Sequence, residues 1–138
     1  MARILVIDDQ SCVGELLSEE LHDEGHQIMG VDHSESVWVK LADFRPDVVL
    51  LDLYSNGFEG WDILYHIKAT QPNLPVLVFT AYDTLKNDAR LSQADGYVVK
   101  SFGRLGKLKE KVSDVLARRT PRQPKETLIP LNAVPQTP

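Results

Sequence analysis

A chain of 138 residues with 43% hydrophobic content can bury one core and is too short for two ordinary domains. No apolar run approaches a membrane span, no signal-peptide pattern precedes the first predicted strand, and the one cysteine, Cys12, excludes an internal disulfide, so the expectation is a cytoplasmic protein with no membrane partner. The net charge of −5 hides an asymmetry, with 17 acidic and 6 basic side chains over residues 1–99 but 3 and 9 over residues 100–138; an acidic body argues against nucleic acid as a direct partner, and the basic end reads as a solvated helix face plus tail.

In chain order, residues 3–7 are apolar after Arg3 and run into Asp8 and Asp9, a buried-strand pattern. Over residues 13–24 the period changes. Val13, Leu17 and Leu21 recur every fourth position beside Leu16, with Glu15, Glu19 and Glu20 between them. This predicts an amphipathic helix, with Ser11 as N-cap and Gly25 as its stop. Residues 27–31 predict a short strand, and Ser34 can cap a helix whose core face is Val37, Leu41 and Phe44, closed by Pro46. Val48, Val49, Leu50 and Leu51 then form an unbroken apolar run into Asp52, as in a strand buried on both faces. Asn56 and Gly57 signal a turn, and a loop is expected to Gly60. Ile63, Leu64 and Ile67 mark a third helix ending near Pro72, and residues 76–79 a fourth strand with Thr80 at its end. Residues 85–92 predict a short, weakly patterned fourth helix and residues 97–99 a fifth strand followed by Lys100. Leu105, Leu108, Val112, Val115 and Leu116 give the clearest helical stripe in the chain. Five strands alternating with five helices predict an α/β fold, a doubly wound parallel sheet with right-handed crossovers and helices on both faces. Five of the eight prolines fall after residue 119, so 1–119 reads as the domain and 120–138 as a disordered tail. Leu128, Ile129, Leu131 and Val134 leave open a docking peptide within it.

Asp8, Asp9, Asp52, Thr80 and Lys100 all stand at predicted strand ends. From Asp9 to Asp52 is 43 residues, or two βα units; Thr80 lies 28 further on and Lys100 another 20, one unit each. The five would share the carboxyl edge of the sheet, where open α/β folds bind ligands. Close carboxylate pairs repel by about 1–4 kcal/mol at intermediate dielectric, so three of them call for a cation. Oxygen donors with room for water and a phosphoryl group suit Mg²⁺. His22 and His26 have helical spacing, but Gly25 interrupts the helix that would align them, which makes zinc there a poor fit.

In these residues the chain resembles the receiver domains of two-component response regulators. The resemblance covers residues 1 to about 119 and rests on the acidic pair Asp8 and Asp9, the phospho-accepting Asp52, the loop glycine Gly60, the switch hydroxyl Thr80, the switch aromatic Tyr97 and Lys100. It implies a flavodoxin-like fold with strand order 2-1-3-4-5. It implies further that Asp52 takes a phosphoryl group from a histidine kinase or phosphotransfer protein, as a signalling acceptor rather than an enzyme. Asp9, Asp52 and the backbone carbonyl of Tyr54 would ligate Mg²⁺, with Asp8 holding a metal-bound water. Lys100 would pair with the carboxylate and then with the phosphoryl group. Thr80 and Tyr97 would shift inward and alter a protein-docking face made by the fourth helix, fifth strand and fifth helix. Tyr54 and Tyr82 stand where the family borders the path of hydrolytic water, and Ala81 where phosphodonors enter, so the phosphoryl group on Asp52 is expected to be long-lived.

Three rivals bear on this reading. A flavin carrier shares the architecture, but Asp8 and Asp9 would repel a phosphate from the first loop, and no glycine-rich nucleotide motif is present. An interaction module that has lost phosphorylation would not need all five strand-end residues. A regulator with an attached DNA-binding domain would need more than the 19 residues after 119, so output is expected through protein contacts unless the chain is a fragment of a longer regulator. The chain departs from the family pattern at Ser101, where proline usually follows the lysine; a cis bond there would cost about 2.5–4 kcal/mol, so a trans Lys100–Ser101 peptide is expected. Ser55 and Asn56 replace the usual Met-Pro, and the Thr80–Lys100 interval is short for the family.

Overall fold

The computed structural model describes residues 2–8, 19, 21–22, 25–31, 37–55, 58–80, 87–99 and 105–118, with the backbone alone at 54, 55, 58, 59, 105 and 106. Its centre is a five-stranded sheet of β1 (Arg3–Ile7), β2 (Gln27–Val31), β3 (Val48–Leu51), β4 (Val76–Thr80) and β5 (Gly96–Val99). All pairings are parallel, in the order β2-β1-β3-β4-β5. The runs read as buried strands are buried: β1 is enclosed after Arg3 and every residue of β3 is enclosed, as is every residue of β4. A parallel sheet needs cover on both faces, and these strands supply apolar side chains to both.

The alternation within each strand divides the interior in two. On one face Leu5, Ile7, Val49, Leu51, Val76 and Val78 pack under α1 (Val37–Phe44) and α2 (Trp61–Thr70). On the other, Ile4, Val6, Val48, Leu50, Leu77, Phe79 and Val98 pack with Leu21 and with α3 (Leu105–Arg118). Val37, Leu41 and Phe44 are the buried residues of α1, as the spacing predicts. In α3, Leu108, Val112 and Val115 are buried while Leu116 is half-buried at the margin. Each fully buried aliphatic side chain contributes about 1.5–3 kcal/mol relative to exposure, so these two layers hold the fold together.

Of the first predicted helix, Glu19, Leu21 and His22 are described and are helical. Its end is defined: Gly25 adopts φ +85° and donates to the His22 carbonyl at 2.9 Å, and His26 donates to that of Leu21 at 3.4 Å. This paired closure with a left-handed residue favours glycine, which has no Cβ to clash.

Two predicted segments take other forms. Where a plain loop was expected after β3, Tyr54–Ser55 and Phe58–Glu59 pair antiparallel, with Ser55 opposite Phe58. Two residues, Asn56 and Gly57, separate the paired positions, the spacing and composition of a tight hairpin. The fourth helix, expected over 85–92, is a 3-10 helix at Ala89–Gln93 in its described part. None of its residues is buried, so no apolar stripe is present to extend it into an α-helix; Asp88 caps it by accepting from the Arg90 N–H at 2.9 Å. The Lys100–Ser101 bond and residues 120–138 lie outside the described residues, among which every peptide is trans.

Candidate functional site

Ile7 and Leu51 are partners across β1 and β3, so Asp8 and Asp52 follow in step at the same edge of the sheet. The backbone fixes both. The Asp52 N–H donates to the Ile7 carbonyl at 3.0 Å, and the Asp8 N–H donates to that of Val31 at 3.0 Å. Leu51 in turn pairs with Val78, which places Thr80 on the adjoining strand one step past the level of Asp52. Adjacent strands lie about 4.8 Å apart, so the three side chains issue from neighbouring points of one edge.

Their burial sets them apart. Asp8 is 8% exposed, Asp52 2% and Thr80 0%, and these are the buried polar residues among those described. Enclosing a carboxylate costs several kcal/mol, to order of magnitude, unless partners compensate, and two enclosed carboxylates on adjacent strand ends repel besides. All three take part in interactions within the fold, yet Oδ2 of Asp8 is enclosed and accepts no hydrogen bond. Hard oxygen donors of this kind fit a small divalent cation that keeps part of its water shell.

Tyr97 lies on β5 opposite Val78, half-buried against the core beneath α1 and α2. It therefore sits one strand beyond Thr80, which itself pairs with Val99. Asp9, Ala81, Tyr82, Lys100 and the side chain of Tyr54 lie outside the described residues. No group of three metal-ligating side chains converges among the residues that are described, and Asp8 and Asp52 are the two described carboxylates of the expected triad.

Three features adjoin the strand ends, of which the resemblance marks Gly60 and the sequence reading leaves Trp61 and the Arg90–Asp88 pair unread. Gly60 sits against the site's backbone, where a Cβ would stand 3.2 Å from the Asp52 carbonyl oxygen, and its N–H donates to the Leu53 carbonyl at 2.6 Å. Trp61, the first residue of α2, is 4% exposed. The Arg90 guanidinium stacks over its ring at 4.0 Å while forming a two-point ion pair with Asp88, at 3.1 Å from Nε and 2.8 Å from Nη2. Those side-chain hydrogen bonds, helped by the one from the Arg90 backbone, hold the Asp88 carboxyl down at about 2. A tryptophan three residues before Leu64 was the available signal that the buried stripe of α2 begins earlier than Ile63.

The response regulator receiver domain profile matches residues 4–113. The chain belongs to the response regulator receiver family. Among curated relatives, the DNA-binding response regulator MtrA of Mycolicibacterium smegmatis is 36% identical over 130 residues, covering 91% of this chain and 55% of MtrA. The chain spans about half the length of the curated relatives of this kind. Among solved structures, response regulator TrrA of Thermotoga maritima in complex with Mg²⁺-BeF superposes with a TM-score of 0.76 at 36% identity, covering 83% of this chain and 99% of that one. A chain from the complex of histidine kinase ThkA with TrrA does so with a TM-score of 0.76 at 37% identity, covering 84% and 99%. This receiver is thus a signalling domain of the two-component type.

Proposed function

We propose that residues 1–119 form a phospho-accepting receiver in which Asp52 takes a phosphoryl group from the phosphohistidine of a sensor kinase or phosphotransfer protein. The observation that carries this reading is the enclosure of Asp8, Asp52 and Thr80 at one sheet edge, an arrangement the fold alone gives no reason to keep. A kinase as donor is supported by the complex of ThkA with TrrA, and a divalent cation by TrrA's Mg²⁺-BeF complex.

In the transfer, a carboxylate oxygen of Asp52 attacks phosphorus as the P–N bond to the donor imidazole breaks, leaving an acyl phosphate and a neutral histidine once a proton is taken up. Asp9, Asp52 and the Tyr54 carbonyl would hold Mg²⁺, with Asp8 positioning its water. A bound Mg²⁺ supplies positive charge against the carboxylates and the phosphoryl oxygens. Lys100 neutralises a further phosphoryl oxygen, and the Thr80 hydroxyl donates to another. Drawing Thr80 inward vacates space for Tyr97, which alters the surface of β5 and the segments beside it, where a downstream protein would read the state. Tyr54 and Tyr82 crowd the hydrolytic water and Ala81 leaves donors room, so loss of the phosphoryl group is slow. The protein's own chemistry is then limited to self-phosphorylation from small donors and self-dephosphorylation.

The test is acetyl phosphate with and without Mg²⁺, read by intact mass. Wild type is expected to gain one phosphate in Mg²⁺ only, and Asp52→Asn none. A gain that survives Asp52→Asn, or equal labelling in excess chelator, would sink the proposal.

A further inference from the structure

Between the functional edge and the Ala89–Gln93 helix the fold makes a continuous physical connection. Gly60 lies against the Asp52 carbonyl so closely that a Cβ there would be at 3.2 Å. Its own carbonyl accepts from the N–H groups of Ile63 and Leu64 at 3.1 and 3.2 Å, which starts α2 at that point. Trp61 follows at once, and its ring lies under the Arg90 guanidinium at 4.0 Å. Arg90 is presented flat because Asp88 holds two of its nitrogens, while the same carboxylate caps the 3-10 helix through the Arg90 N–H. Backbone around Asp52, first turn of α2, indole, guanidinium and capped 3-10 helix thus form one stack.

The opposite end of this segment is held differently. Asp95, just before β5, accepts from the Val76 N–H at 2.8 Å and from Lys68 Nζ at 2.7 Å. Lys68 also donates to the Leu74 carbonyl at 2.9 Å. This clip joins α2, β4 and β5 at the edge remote from Asp52. The 3-10 helix itself buries no side chain, and Leu91 is half-buried. A segment pinned at one end by the Asp95 carboxylate and by the Asp95 N–H donating to the Val76 carbonyl at 2.8 Å, and at the other by a stacked cation, can pivot on the first when the second gives way.

We propose that the Trp61–Arg90 stack, set by Asp88, is a latch that holds the 3-10 segment in the unphosphorylated arrangement and is opened when Asp52 takes a phosphoryl group. The proposal rests on Asp52 being the acceptor. Loading proceeds through the open arrangement, so a weakened latch raises the open fraction and with it the loading rate by the same factor. A partly shielded cation–aromatic contact of about 0.5–1 kcal/mol corresponds to a two- to fivefold change. Trp61 and Arg90 act here as positioning residues and touch neither donor nor phosphoryl group.

The chain has two tryptophans, so Trp38→Phe leaves Trp61 as the one indole reporter. In that background, acetyl phosphate with Mg²⁺ is expected to change Trp61 emission in step with the gain of phosphate by intact mass. Arg90→Gln should abolish most of that change and raise the rate of loading about two- to fivefold. Arg90→Lys, which keeps the cation without the planar stack, should fall between. A purely structural contact would lower the melting temperature and leave the loading rate where it was. Phosphate gain at the wild-type rate in Arg90→Gln, with the Trp61 response intact, would overturn the latch while leaving Asp52 as acceptor. No phosphate gain in the wild-type chain would overturn the reading of Asp52, and the latch with it.

Discussion

At Gly60 the missing side chain lets α2 begin directly beside the backbone of Asp52. A Cβ there would meet the Asp52 carbonyl oxygen at 3.2 Å and both Leu51 Cδ1 and the Leu53 Cα at 3.4 Å. The backbone at φ −88° and ψ 12° is open to any residue, so the constraint is contact and not conformation. Leu51 and Leu53 are fully enclosed and cannot yield far. Overpacking of this kind costs about 1–3 kcal/mol. Gly60→Ala is therefore expected to lower the urea midpoint, with a loss of unfolding free energy of about 1–3 kcal/mol, and to slow phosphate loading, because the displaced carbonyl belongs to the acceptor residue. An unchanged midpoint together with an unchanged rate would show that this backbone gives way freely.

Among elements, the clip at Asp95 does for β4 and β5 what the strand hydrogen bonds alone do not, since it ties both to α2. Asp95→Ala deprives the Val76 N–H and the Lys68 ammonium of one acceptor each, and an orphaned donor costs about 1–3 kcal/mol when buried. With Asp95 38% exposed and Lys68 16%, water reaches part of the clip, and the expected loss is at the lower end of that range. Asp95→Asn keeps an oxygen for the Val76 N–H and should lose less than half as much by the same chemical denaturation. Equal losses for the two variants would assign the effect to the charge of Lys68. Elements of this size differ in how far the sequence reveals them. The three central strands β1, β3 and β4 were legible because parallel strands buried on both faces appear as unbroken apolar runs, and their carboxyl ends could be counted off as Asp8, Asp52 and Thr80. The Tyr54–Ser55 and Phe58–Glu59 ribbon was not, since two-residue strands carry no period. The 3-10 helix lacks an apolar stripe, and the meeting of Arg90 with Trp61, 29 positions apart, follows from tertiary packing that no local pattern encodes.

Across the whole molecule, one sheet separates two apolar layers that share no side chain, yet every sheet strand contributes to at least one of them. Ile67 on α2 belongs to the first layer and Ile4 on β1 to the second, and both are 0% exposed. Ile→Val deletes one methylene and costs about 0.5–1.5 kcal/mol in a well-packed core. If the sheet transmits unfolding but not small packing shifts, the layers melt together while their defects remain independent. Ile4→Val and Ile67→Val are then expected to add within about 0.5 kcal/mol in the double variant, with the dependence on urea unchanged in slope. A slope that falls in the double variant would mean that the layers unfold separately. A coupling energy well above 0.5 kcal/mol would mean that the strands between them, the ones that carry Asp8 and Asp52, deform as packing changes on either face.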